Sequence, residues 1–349
     1  MDSATFWRRD YPPGVPGEID PDSLRSLKQM FEDACRDHAA KPAVSNMGRT
    51  LSYGQLGEYS RRFAAWLQRQ AGLRKGDRVA LMMPNILQYP IAIIGTLRAG
   101  CTVVNVNPLY TGRELEHQLT DSGATVIVIF ENACATLEQV IARTPIRKVI
   151  VTGIGDMLGF PKGVITNFAI RRVKKMVPPW SLPGALPFKE IIRAGGSLKL
   201  DEVDVSGEDI AFLQYTGGTT GVSKGAILTH RNLVANTLQV VAYMPELSVI
   251  KDTVVITALP LYHIFALTSN FLVFTRVGGL NVLITNPRDM AGFVKELSRV
   301  RFTFITGVNT LFNALLHTPG FDKLDFSSLK VALGGGMAVQ AAVSERWRQ

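Results

Sequence analysis

YTGGTTGVSKGA, residues 215–226, lies between the apolar run 209–214 and the pair Ile227–Leu228. Its reading decides the fold and the chemistry together. Gly217, Gly218 and Gly221 allow positive φ and let backbone N–H groups approach an anion. Thr216, Thr219, Thr220 and Ser223 add hydroxyls, and Lys224 adds a positive point charge. Such a set suits a polyphosphate. A Walker A loop needs Gly-Lys followed by Ser or Thr, whereas Lys224 stands between Ser223 and Gly225, and no Gly-x-Gly-x-x-Gly occurs. The competing reading, a solvated Ser/Thr/Gly linker, does not account for a lysine at fixed spacing directly after an apolar strand.

The flanking chain has 349 residues, 46% apolar and 19% charged, which is enough for a large core and for two or three domains. Its 38 basic and 29 acidic residues leave a formal charge of +9. That sign admits anionic ligands, anionic lipid or nucleic acid without choosing among them. Cys35, Cys101 and Cys134 form no Cys-x-x-Cys pair, so neither a disulfide framework nor a zinc site is indicated, no metal-ligand set is assigned, and a reducing compartment fits. The first ten residues lack the apolar core of a secretory signal. The longest apolar stretch, 264–277, is interrupted by polar residues and falls short of the roughly 20 needed to span a bilayer.

Outward from the loop, periodicity predicts an alternation. Toward the N-terminus, helices are expected over 23–40, 53–70, 86–99 and 132–143, with one after Thr111, and strands over 43–53, 78–83, 101–105, 125–130 and 148–152. Ser52 with Gln55 and Thr111 with Glu114 read as capping boxes. Toward the C-terminus, helices are expected over 231–244, 264–277, 289–300 and 309–317, and strands over 254–259, 280–284, 302–306 and 329–333. Alternation of this kind predicts an α/β fold of two parallel, helix-flanked sheets. The expected blocks are 1–152, a basic insertion at 153–185, and 186–349 with the phosphate loop. The insertion carries Lys162, Arg171, Arg172, Lys174 and Lys175 with no acid over 161–180. It is read either as a peripheral contact with an anionic membrane or as a solvated insertion. On a helical wheel Arg172 falls inside its apolar sector.

Ligands of open parallel sheets bind beyond the carboxyl ends of the strands. Three expected loops end such strands: 260–265 with His263, 307–310, and 334–337, where Gly334, Gly335 and Gly336 leave room for a flat base and Met337 borders an apolar tunnel. His263 is read as an orienting group or as a packed core histidine. His230 begins a helix, and His38, His117 and His317 are expected at the surface or at caps.

Together with the loop, PLYHIFAL (260–267), TNPRD (285–289), ITGVNTLFNALL (305–316), LDFSSLKVALGGGMAVQ (324–340) and the basic insertion resemble the bacterial long-chain fatty acyl-CoA synthetases. These belong to the class I adenylate-forming enzymes, with luciferases and peptide-synthetase adenylation domains. The likeness runs from Phe6-Trp7 to Gln349. It implies the fold of the large adenylation domain, with a small β subdomain. It also implies two steps on ATP, Mg2+, CoA and a fatty acid: acyl-AMP formation, then thioester formation. On this resemblance Tyr215, Thr216, Gly217, Gly218, Thr219, Thr220, Gly221, Val222, Ser223, Lys224, Gly225 and Ala226 hold the ATP phosphates, and Gly334 to Gly336 the adenine end. Catalytic roles fall to Lys224, Thr216 and His263, and acyl contacts to His263, Phe265, Leu267 and Met337. Leu267 stands where some relatives carry an aromatic gate. The family's Tyr-Gly-x-Thr-Glu motif, whose Glu helps bind Mg2+, has no copy here. The expectation is a truncated N-terminal portion, without the C-terminal catalytic domain, that forms little acyl-CoA. The resemblance places the protein in the cytoplasm, peripheral on the inner face of the bacterial membrane, with its oligomeric state open.

Two other readings compete. Residues 259–271 contain no acid to meet an ammonium, which argues against an amino-acid substrate but leaves aryl acids. The loop and the insertion also suit a non-catalytic nucleotide- or lipid-binding module. A nucleic-acid partner is not expected, because the basic residues cluster in one insertion with few stacking aromatics.

Overall fold

Runs of β-branched and aliphatic residues buried on both faces form the central strands, as parallel sheets require. In chain order the strands, central and edge, are β1 (Pro42–Asn46), β2 (Arg49–Ser52), β3 (Arg78–Met82), β4 (Thr102–Asn105), β5 (Val126–Phe130), β6 (Lys148–Thr152) and β7 (Leu186–Pro187). There follow β8 (Ile210–Thr216), β9 (Lys224–Thr229), β10 (Val254–Thr257), β11 (Leu280–Leu283), β12 (Phe304–Gly307) and β13 (Val331–Gly334). The computed structural model describes residues 6–216, 223–244 and 246–349.

One sheet has seven strands in the order β7-β6-β5-β3-β4-β8-β9, the other six in the order β13-β12-β10-β11-β1-β2. Both are parallel except at one edge, where β9 and β2 return antiparallel to β8 and β1. No separate β subdomain stands apart from these two sheets among the described residues. The two sequence blocks do not map one to one onto the sheets: β1 and β2 join the six-stranded sheet, and β8 and β9 the seven-stranded one.

Helices pack the sheets together, and their ends follow the capping chemistry. The helix Tyr53–Arg69 starts on the reciprocal Ser52–Gln55 box, and Gly112–Ser122 on Thr111–Glu114. A third box, Thr229 with Asn232, opens His230–Tyr243. Tyr53 ties the start of its helix to the turn before β11, its phenol donating to the carbonyls of Gly279 at 2.7 Å and Phe274 at 3.2 Å.

The expected helix over 132–143 is instead a 3-10 turn Glu131–Ala133, a short helix Cys134–Glu138 and a second 3-10 turn Ile141–Arg143. Val140 leaves helical geometry at φ −127°, and Thr144, held extended by the proline after it, stops recovery. The basic insertion forms the helix Lys162–Phe168 and runs on as a π-turn, Ala169–Val173. A second π-turn, Leu267–Leu272, interrupts the helix that follows His263.

Candidate functional site

The strands on either side of the Gly/Thr loop, β8 and β9, are antiparallel neighbours. β8 and β9 pair so that Tyr215 faces Gly225 and Thr216 faces Lys224. Gly225 is required there, since a Cβ would come within 2.9 Å of the Tyr215 ring. The Tyr215 phenol donates to Asp121 Oδ2 at 2.5 Å, and burial, with that carboxylate, raises its pKa and keeps it protonated. Ser223 Oγ donates to the Thr216 carbonyl at 3.1 Å, closing the neck of the hairpin. Gly217, Gly218, Thr219, Thr220, Gly221 and Val222, six of the predicted phosphate ligands, lie outside the described residues. Lys224 and Ala226 are exposed and Gly225 is partly buried.

The neck opens on a cleft of about 800 Å3. Tyr215, Thr216 and Ser223 line it together with His263 from the loop after β10. Of the three loops expected to share one crevice, 260–265 borders this cleft, whereas 307–310 and 334–337 are not in its wall and Gly334 lines a separate pocket with Phe312 and Trp347. His263 is exposed, and its Nδ1 accepts the Phe265 backbone N–H at 3.3 Å, capping the following helix. Phe265 packs its ring against Gly335, where any side chain would collide with it. Gly336 has φ +75°, and the Gly335 N–H donates to the Gly307 carbonyl at 3.1 Å. The glycine run therefore touches the loop that carries His263. Leu267 is fully buried in the core, and Met337 is exposed.

The cleft wall also contains residues that sequence reasoning missed. Arg113 and His117 project from the Gly112–Ser122 helix, and Tyr110 lies just before it. The expectation of a surface or cap role for His117 is corrected: it is partly buried, and its Nε2 lies 2.9 Å from the Ser223 carbonyl. The carbonyl can only accept, so Nε2 carries the proton. A signal existed, since Arg113 and His117 are four apart on a capped helix and so share a face. His230 is buried and accepts the Leu27 N–H at 3.1 Å through Nδ1. Burial lowers its pKa to about 4. His38 and His317 sit at helix C-caps, as expected.

Among the described residues no group of three or more His, Cys, Asp or Glu is placed to hold a metal ion. Glu114, which borders the cleft, is engaged by Thr111, whose N–H and hydroxyl donate to it at 2.8 and 2.7 Å. The described residues by themselves do not fit a Mg2+ site.

The family of AMP-binding enzymes matches residues 31–349, and the chain belongs to it. The chain is 58% identical over 342 residues to the long-chain-fatty-acid–CoA ligase of Yersinia pestis, covering 98% of this chain and 61% of that protein. A long-chain-fatty-acid-CoA ligase from Archaeoglobus fulgidus has a similar structure, with TM-score 0.77, 26% identity, and coverage of 97% of this chain and 62% of that one. An anthranilate CoA ligase in complex with anthranoyl-AMP shares the fold, with TM-score 0.77, 21% identity, and coverage of 95% and 59%. The chain thus spans about three fifths of the length of these relatives.

Proposed function

We propose that the chain forms the acid-activating part of a long-chain fatty acid–CoA ligase. The fatty carboxylate attacks the α-phosphate of MgATP, giving acyl-AMP and pyrophosphate, and the CoA thiol then displaces AMP. One observation carries the reading: the neck of the Gly/Thr hairpin and His263 border the same cleft of about 800 Å3. Two anions must meet there, so fixed donors and cations are needed where charge moves toward pyrophosphate. Lys224 and the hydroxyl of Thr216 serve the phosphates, with Tyr215, the rest of 217–226 and the Arg113 cation around them. His263 orients the carboxylate, and Gly334 to Gly336 meet the adenine end. Phe265, Leu267 and Met337 are the acyl contacts in this reading, and a chain reaches Leu267 only if the core around it opens.

In this reading residues 1–349, in the blocks 1–152, 153–185 and 186–349, are the large adenylation domain. The domain that completes thioester formation lies outside them. The deciding experiment is pyrophosphate exchange by the full-length gene product across fatty acids of increasing length and aryl acids. Exchange rising with chain length supports the reading. Exchange with aryl acids alone moves the assignment to that class, and exchange with neither leaves a binding module.

The same reading places the protein in the cytoplasm, peripheral on the inner membrane face through residues 161–180. The helix Lys162–Phe168 is inside out, which supports this. Its Gly163 and Asn167 face the protein: Asn167 Oδ1 accepts the Gly155 N–H at 2.7 Å, and its Nδ2 donates to Asp156 at 2.9 Å. Phe160 is 90% exposed, and Val164, Ile165, Phe168, Val173 and Met176 are exposed with it. Lys162, whose ammonium donates to the Met47 carbonyl, and Arg172, Lys174 and Lys175 are exposed on the same segment. A face with apolar residues outward and a cationic rim suits an anionic bilayer, at about 1 kcal/mol per basic residue near the headgroups. No helix among the described residues is long and apolar enough to cross a membrane.

A further inference from the structure

Leu259 to His263, the loop that brings His263 to the cleft, is held by two buried amide side chains that come from the other sheet. Asn85, just after β3 and 3% exposed, donates to the carbonyls of Thr257 at 3.0 Å and Leu259 at 2.9 Å, and accepts the Leu261 N–H at 2.9 Å. Gln214, in β8 and 5% exposed, donates to the Tyr262 carbonyl at 2.8 Å. The direction of the second chain is fixed from its end. A carbonyl can only accept, so Gln214 must present Nε2 to Tyr262 and Oε1 to its cross-strand neighbour Asn105, whose Nδ2 donates at 3.0 Å. Asn105 Oδ1 then accepts from the Tyr89 phenol at 2.8 Å. Every polar group in this run of buried contacts has one role, and no alternative flip satisfies it.

Gln214 directly precedes Tyr215 and Thr216, so the residue that begins the neck of the phosphate hairpin also grips the backbone beside His263. We infer that Gln214 and Asn85 are positioning residues that hold the His263 loop at a set distance from the phosphate hairpin, so that acid and nucleotide meet in reacting geometry. This rests on the ligase reading. A displacement of about 1 Å in such a geometry costs rate out of proportion to its cost in stability.

The test uses the full-length protein with palmitate. Gln214→Leu removes the donor to Tyr262 and the acceptor for Asn105. It is expected to lower the kcat of ATP–pyrophosphate exchange by about tenfold or more, the loss of about one hydrogen bond's worth of alignment, with the Kd for ATP unchanged. Gln214→Glu supplies a readout that a structural role would not move. Its protonated carboxyl donates to Tyr262 and accepts from Asn105, whereas the ionised form repels the carbonyl, and burial raises the carboxyl pKa toward neutrality. Exchange by this variant, relative to the unsubstituted protein, should therefore rise as pH falls. A flat ratio across pH, or kcat retained in Gln214→Leu, overturns the inference. Absence of exchange in the unsubstituted protein overturns the ligase reading itself.

Discussion

Single side chains carry the most direct tests. Lys224 stands at the start of β9 opposite Thr216, and a charge-assisted contact to phosphate contributes about 1.5–3 kcal/mol. Lys224→Ala in the full-length protein should therefore weaken ATP binding by about tenfold or more, read by calorimetry, with the melting temperature unchanged. Undiminished binding would remove the hairpin from the nucleotide site. His230 makes a separate prediction about pH. Its folded pKa is about 4, against an ordinary value of 6.5, because burial disfavours the imidazolium and Nδ1 is committed to accepting from Leu27. The neutral ring therefore stabilises the fold above pH 6.5, and this contribution is lost as pH falls from 6.5 through 4, by about 3 kcal/mol in all. Urea midpoints should decline over that window. His230→Gln, which keeps an acceptor but cannot titrate, should flatten the decline. The residues that read correctly from sequence were those whose partners lie one turn away, as in Ser52 with Gln55. Asn85 and Gln214 gave no local sign, because Asn85 meets its partners 172 to 176 residues further on and Gln214 meets Tyr262 across 48.

Secondary-structure elements show why periodicity finds a helix more readily than its orientation. β6 was legible over Lys148–Thr152 to the residue, since a β-branched run bounded by basic residues on one side and Gly153 on the other has one interpretation. The orientation of the helix Lys162–Phe168 was not, because the sequence admits both a membrane-facing and a solvated insertion and the wheel does not choose between them. Asn167, bonded to Gly155 and Asp156, and the close approach of Gly163 to Gly155 turn the apolar residues outward. A Cβ at Gly163 would fall on the Gly155 carbonyl, so Gly163→Ala should cost about 1–3 kcal/mol by overpacking and speed proteolytic cleavage within 153–184. Phe168→Asp leaves that contact untouched. It should instead reduce co-sedimentation with phosphatidylglycerol vesicles while the melting temperature holds. Binding to those vesicles should also fall as salt is raised, and equal binding to phosphatidylcholine alone would argue against the cationic rim.

At the scale of the whole molecule, the alternation of strand and helix announced two parallel sheets, but strand order was beyond the reach of pattern. The phosphate hairpin β8–β9 belongs to the sheet begun by residues 78–152, and the β1–β2 hairpin to the sheet completed by residues 254–334. Which strand lies beside which is decided by packing between distant segments, such as the parallel pairing of Val44 with Asn281, and no short window contains it. The prediction at this scale concerns fragments. Residues 1–200 and 201–349 expressed apart should each be poorly folded, and mixing them should restore a cooperative melt. Two separately cooperative halves would contradict the exchange of edge strands.

That exchange also orders events during synthesis. The strand Thr102–Asn105 leaves the ribosome more than a hundred residues ahead of β8, the neighbour that will cover its free edge, and the hairpin at 42–52 waits longer still for β11. A growing chain of this kind holds open two apolar margins at once. Its yield in the cell should depend on how well chaperones shield them until residues near 283 emerge.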